Sequence, residues 1–126
     1  MKRKMKKILC TMLAALMVSG TAIPAFAETI NFDVTVPGDI LSRKALKADS
    51  EQRFYVTGTG FNKGGTLYCT SVKYEDASVF SHSAAISPYL LKNNAMYRKY
   101  AEPGKFYYMT TNASVSGLHV TGRYTP

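Results

Sequence analysis

The chain has 126 residues, with 16 Lys and Arg against 8 Asp and Glu, for a formal net charge of +8. That length holds one ordinary domain and excludes large catalytic architectures such as a (β/α)8 barrel. Hydrophobic residues at 46% and charged residues at 19% are globular proportions rather than those of a disordered chain.

Residues 1–27 read as an export signal. Lys2, Arg3, Lys4, Lys6 and Lys7 form a basic head, and Ile8 to Val18 is an apolar run broken only by Cys10 and Thr11. Ser19, Gly20 and Pro24 interrupt any helix, and Ala25-Phe26-Ala27 puts small side chains at the two positions a signal peptidase inspects. The apolar run is shorter than the ~20 residues a membrane span needs, and Cys10 has no lipobox ahead of it. The expected product is residues 28–126, released and untethered. Five of the 16 basic residues lie in the leader, which leaves 11 against 8 acids, a charge of +3. The headline basicity therefore reports targeting, and nucleic-acid binding is not implied. One cysteine, Cys69, remains after cleavage. An intramolecular disulfide is thus excluded, and stability must come from a packed core.

The rest of the chain reads as strands. From Thr29 to Val36, Ile30, Phe32, Val34 and Val36 alternate with polar residues, the two-residue period of a half-buried strand. Pro37-Gly38-Asp39 marks a turn. Residues 40–50 suit a loop or an edge strand better than a helix. Glu51 to Phe61 and Thr66 to Tyr74 flank the turn signal Asn62-Lys63-Gly64-Gly65 and predict a hairpin. The second of these has two candidate faces, Leu67/Cys69/Ser71 and Tyr68/Thr70/Val72/Tyr74. Glu75-Asp76 is a turn, and Val79 to Ser87 places Phe80, His82, Ala84 and Ile86 on one face. Ser87 to Asn94 reads as a loop. Ala95 to Ala101 and Lys105 to Thr111 flank Glu102-Pro103-Gly104-Lys105, with the central pair of a type II turn, and predict a second hairpin. Asn112 to Gly117 is a loop and Leu118 to Thr125 a last strand. Thr, Val and Tyr favour strands. About seven short strands at this spacing predict an all-β, single-domain, antiparallel two-sheet sandwich.

Chemistry is sparse. Cys69 with His82 or His119 would make a nucleophile–base pair, the third functional reading, but Cys69 sits mid-strand without a glycine elbow or helix terminus to activate it. Cys69 could instead bridge two chains of a homodimer. No ligand spacing for a metal is present and no cofactor is expected. Glu75-Asp76 and Asp33 make no carboxylate pair suited to glycoside hydrolysis. Asn112-Ala113-Ser114 matches a glycosylation sequon and marks a loop. The strongest hint is basic and aromatic: Tyr97, Arg98, Lys99 and Tyr100, then Lys105, Phe106, Tyr107 and Tyr108. Folded against each other, these segments would offer guanidinium, ammonium and phenol groups to an anionic polymer, lipid head groups or sugars.

The leader ending Ala25-Phe26-Ala27, the strand from Asn31 to Val36, the segment from Gly65 to Thr70 and the ending Val120-Thr121-Gly122-Arg123-Tyr124 resemble largely uncharacterised small secreted β-sandwich proteins of Gram-positive bacteria. More loosely, the Tyr107-Tyr108 pair is similar to the C-terminal aromatic pairs of lactococcin-like bacteriocins, which usually carry Trp where this chain has none. The resulting expectation is a secreted, non-enzymatic β-protein that binds a cell surface, an anionic wall polymer or another chain, with a bacteriocin-like antibacterial role as the alternative.

Overall fold

The computed structural model describes residues 28–37 and 42–126. The leader over 1–27 and positions 38–39 of the first turn lie outside the described residues. The strands are β1 (Ile30–Val36), β2 (Ala45–Lys47), β3 (Arg53–Phe61), β4 (Leu67–Lys73), β5 (Ala84–Ile86), β6 (Lys92–Met96), β7 (Lys105–Ala113) and β8 (Leu118–Thr125). They form two four-stranded antiparallel sheets, ordered β1-β8-β3-β6 and β2-β7-β4-β5. The two-sheet sandwich expected from the sequence is the fold, and its core lies between the sheets.

The period-2 pattern sets the packing. β1 alternates buried and exposed residues along its full length. In β4, Leu67, Cys69 and Ser71 face inward, which decides between its two candidate faces. Phe54, Val56, Leu67, Ile86, Met109, Leu118 and Val120 meet between the sheets, each shielded to 1% exposure or less. A bulge between Gly58 and Gly60 resets the parity of β3, so that Phe61 pairs Val120 and turns toward the core.

Pairing departs from the sequence in three places. β3 and β4 do not form a hairpin, because the Asn62–Gly65 link carries the chain from one sheet to the other. β6 and β7 do not form one either. Gly104 does take the positive φ (79°) its turn requires, which a side chain resists, but its N–H donates to Lys47 O at 2.6 Å in β2. The third departure concerns Val79 to Ser87, which is a strand only from Ala84. Phe80 and His82 are exposed while Ala84 and Ile86 are buried. The phase breaks because Ser81 turns inward, its Oγ accepting from Ser71 N at 2.9 Å and donating to His82 O at 2.7 Å. β6 also begins inside the segment read as a loop, at Lys92.

Two polar groups are built into the core. Ser71 Oγ shares hydrogen bonds with Tyr97 OH (2.7 Å) and Tyr124 OH (2.5 Å). Lys47 is fully buried. Its Nζ donates to Asp49 Oδ1 at 3.2 Å, to Pro126 O at 3.1 Å and to Glu51 O, and lies 5.2 Å from the Tyr97 ring centroid. A buried ammonium is tolerated only with such partners. Ser71→Ala strips one partner from each of two buried phenols. It is expected to cost about 1–3 kcal/mol, read as a lower urea midpoint with unchanged slope.

Candidate functional site

Alternation sends Tyr68, Thr70, Val72 and Tyr74 of the β4 segment to the outside of the β2-β7-β4-β5 sheet. Phe106, Tyr108, Thr110 and Asn112 of β7 face the same way. Register brings them side by side: Tyr68 pairs Asn112, Thr70 pairs Thr110 and Val72 pairs Tyr108, while Tyr74 N donates to Phe106 O. Leu46 pairs Phe106 on one flank, and Phe80 bridges Val72 on the other. The result is an outward face rich in rings.

Lys44 is the cation of this face. Its Nζ stands 4.5 Å from the Tyr74 ring centroid and 4.9 Å from that of Phe106. Tyr74 and Tyr108 meet edge to face, with centroids 6.4 Å apart. Ser42, Lys44, Tyr74 and Tyr108 line a shallow cleft of about 440 Å³. Ring quadrupoles hold the ammonium in place at about 0.5–1 kcal/mol for an exposed pair, and its remaining hydrogens stay free for an anionic group. Tyr74 is 57% exposed and Phe106 43%, so apolar ring surface is also open to a ligand.

The outside of the other sheet is different. It carries Asn31, Asp33 and Thr35 from β1, His119, Thr121 and Arg123 from β8, Thr57 and Thr59 from β3, and Lys92 and Asn94 from β6. Tyr55 and Met96 are its exposed apolar side chains. Asp33 has a partner that the sequence does not reveal, His119 Nε2 at 2.5 Å.

The basic–aromatic segments are split by the fold. Tyr97 and Tyr107 are core residues, packed edge to face at 5.5 Å. Burial pushes the Tyr107 phenol up to about 12 and that of Tyr97 higher still. Arg98 lies 5.4 Å over the Phe80 ring, at the margin of the aromatic face. Lys99 and Tyr100 are exposed in the bend after β6, and Lys105 is half-buried at the start of β7. Of the eight residues in those segments, Phe106 and Tyr108 lie within the face itself. Lys44 and Tyr74 complete it. Sequence reading passes over these two because the β4 segment offers two candidate faces, and because Lys44 comes from a segment with no period of its own.

Cys69 is fully buried, and desolvation pushes its thiol up to about 12. His82 is exposed, and His119 stands on the outside of the opposite sheet. Neither nucleophile–base pair is assembled, and an interchain disulfide would need a sulfur at the surface. Among the described residues, no group of three or more His, Cys, Asp or Glu is placed to hold a metal. No helix of the described residues is long and apolar enough to cross a membrane. No family model, curated protein or solved structure matches the chain.

Proposed function

We propose that the protein is exported and acts outside the cell without catalysing a reaction, by holding an anionic cell-surface polymer against the face around Lys44, Tyr74, Phe106 and Tyr108. The observation that supports this reading is the contrast between the two outer faces. One is a solvated sheet surface of Thr and Asn with the pair Asp33–His119 and the cations Arg53, Lys92 and Arg123, none of which stands over a ring. The other concentrates rings about a cation, an arrangement that exceeds the scattered apolar residues normal for a surface. Ring faces stack on the C–H faces of a sugar, and Lys44 pairs with a phosphate or carboxylate on the same polymer.

Residues 28–126 are expected to be retained by isolated anionic wall polymer and released by salt, because exposed charge pairs are screened within about 10 Å at 0.1 M. Phe106→Ser and Lys44→Glu should each weaken retention about tenfold, equivalent to roughly 1.4 kcal/mol. Equal retention of wild type and both variants would reject this face. Growth inhibition of other bacteria by the wild-type segment would move the assignment to the antibacterial reading.

A further inference from the structure

The outer face of the β1-β8-β3-β6 sheet is ordered in rows that run across the strands. Register places Asn31 beside Arg123, Arg123 beside Thr57 and Thr57 beside Lys92. One row of side chains thus crosses the whole sheet. Asn31, Arg123 and Lys92 are exposed and Thr57 is half-buried. The residues to either side are tied to one another. On one side the hydroxyls of Thr29 and Thr125 meet at 2.7 Å, the Tyr55 hydroxyl donates to Glu51, and Arg53 donates to Asn94 Oδ1 at 2.7 Å. On the other side His119 meets Asp33 at 2.5 Å, and Thr59 meets Thr121 at 3.3 Å. Among the described residues, the side chains of Asn31, Arg123, Thr57 and Lys92 make no hydrogen bond or ion pair with a neighbour. Two cations, a hydroxyl and a carboxamide therefore stand in line with their donors unspent.

Spacing makes these groups a set. Neighbouring strands lie about 4.8 Å apart, so the Cα atoms of Arg123 and Lys92 stand about 10 Å apart with Thr57 midway. Both stems are long and flexible enough to bend over Thr57. The acids of the flanking rows are engaged, Asp33 by His119 and Glu51 by Tyr55. The row crosses β1 near its Ile30 end, away from the link that leaves at Val36. Two residues back along β3 on the same face, about 7 Å away, the Tyr55 ring is 40% exposed. Its hydroxyl is anchored by Glu51, and Asn94 and Thr125 flank it. A fixed ring surface thus lies beside the paired cations.

We infer that this row seats the head of a phosphate monoester, with the organic part of the ester lying over Tyr55. Arg123 holds two phosphate oxygens with its planar fork, Lys92 meets the third as a point charge, and the Thr57 hydroxyl donates from below. Asn31 extends the row of donors by one strand. Two cations match the charge of nearly −2 that a monoester carries at neutral pH, whereas a diester carries only −1. The ring accepts the C–H face of a sugar or the face of an aromatic group. The seat is on the sheet opposite the aromatic face around Lys44, so the two act independently.

The test is titration of isotope-labelled protein with phenyl phosphate, followed by amide NMR shifts. The amides of Thr57, Lys92 and Arg123 are expected to shift saturably, with a Kd of about 1 mM. Inorganic phosphate, which leaves Tyr55 uncovered, should bind about threefold more weakly, and dimethyl phosphate, with a single charge, about tenfold more weakly. Arg123→Gln and Lys92→Gln should each weaken phenyl phosphate about fivefold or more. Both side chains are exposed, and an otherwise unchanged spectrum verifies the fold of each variant. Lys44→Glu and Phe106→Ser should bind phenyl phosphate as wild type does, which separates this inference from the polymer-binding reading. Absent shifts overturn the inference. So do equal shifts from phenyl phosphate, dimethyl phosphate and sodium chloride at matched ionic strength, shifts centred on the aromatic face, or wild-type affinity in both Gln variants.

Discussion

Raising the pH beyond 10 is expected to unfold the protein in one cooperative step. Tyr97 and Tyr124 are buried between the sheets, at 5% and 0% exposure, and burial raises both phenols above their ordinary 10.0. The unfolded chain then releases these protons near pH 10 while the folded chain keeps them. Their stabilising contribution is complete below pH 10 and falls as pH climbs toward the folded values. Each phenol removes about 1.4 kcal/mol per pH unit in that window. Tyr107 acts in the same sense, and Cys69 does so from its ordinary 9.0 up to about 12. Two phenols alone erase a stability of about 5 kcal/mol roughly two units above pH 10. Phenolate absorbance of the buried rings should appear together with loss of near-ultraviolet circular dichroism. Gradual ionisation of every tyrosine with the dichroism intact would show that hydroxide reaches these rings in the folded state.

Gly122→Ala is expected to prevent folding or to cost about 4 kcal/mol or more. Gly122 lies in β8, between Phe32 of β1 and Gly58 of β3. A Cβ there would stand 2.1 Å from Thr57 O and 2.6 Å from the Phe32 ring. The ring could swing aside. The carbonyl belongs to the neighbouring strand and moves only if the sheet opens. Adding Phe32→Leu to Gly122→Ala should therefore fail to restore folding. Two companions grade the effect. Gly58→Ala meets side chains first, the Phe61 ring at 2.8 Å and Ile86 Cδ1 at 3.3 Å, and should cost about 1–3 kcal/mol. Gly64→Ala meets nothing within 4 Å and should be close to neutral. Soluble yield and urea midpoints give the order, and a soluble Gly122→Ala protein as stable as Gly58→Ala would contradict it.

The strands themselves were legible because burial of one face imposes a two-residue period that a single sequence displays. Ile30–Val36 and Leu118–Thr125 stand within one residue of where that period puts them. Partners were not legible. Turn chemistry such as Asn62-Lys63-Gly64-Gly65 or Pro103-Gly104 says that the chain reverses, not whether it returns to the same sheet. Here β4 and β5 are the consecutive strands that pair, and the other links change sheet. That is why Tyr97 and Tyr107 became interior rings instead of a binding surface. The basic and aromatic residues were expected to share one hairpin face, and the fold does not form that hairpin; which rings meet a cation was set by which parity of β7 faces outward. With aromatic residues on both sides of that strand, only the opposing sheet decides.

The pairing of β1 with β8 has a bearing on when this molecule acquires its shape. Ribosomal synthesis delivers Ile30 about three quarters of the chain before its neighbour Tyr124 exists, and Lys47 precedes Pro126 by 79 residues. Contacts so distant along the sequence form slowly, and no early hairpin can substitute for them in this sheet. The β1-β8-β3-β6 sheet therefore closes only after Leu118–Thr125 has been made, so its first strand is held without a partner through most of synthesis.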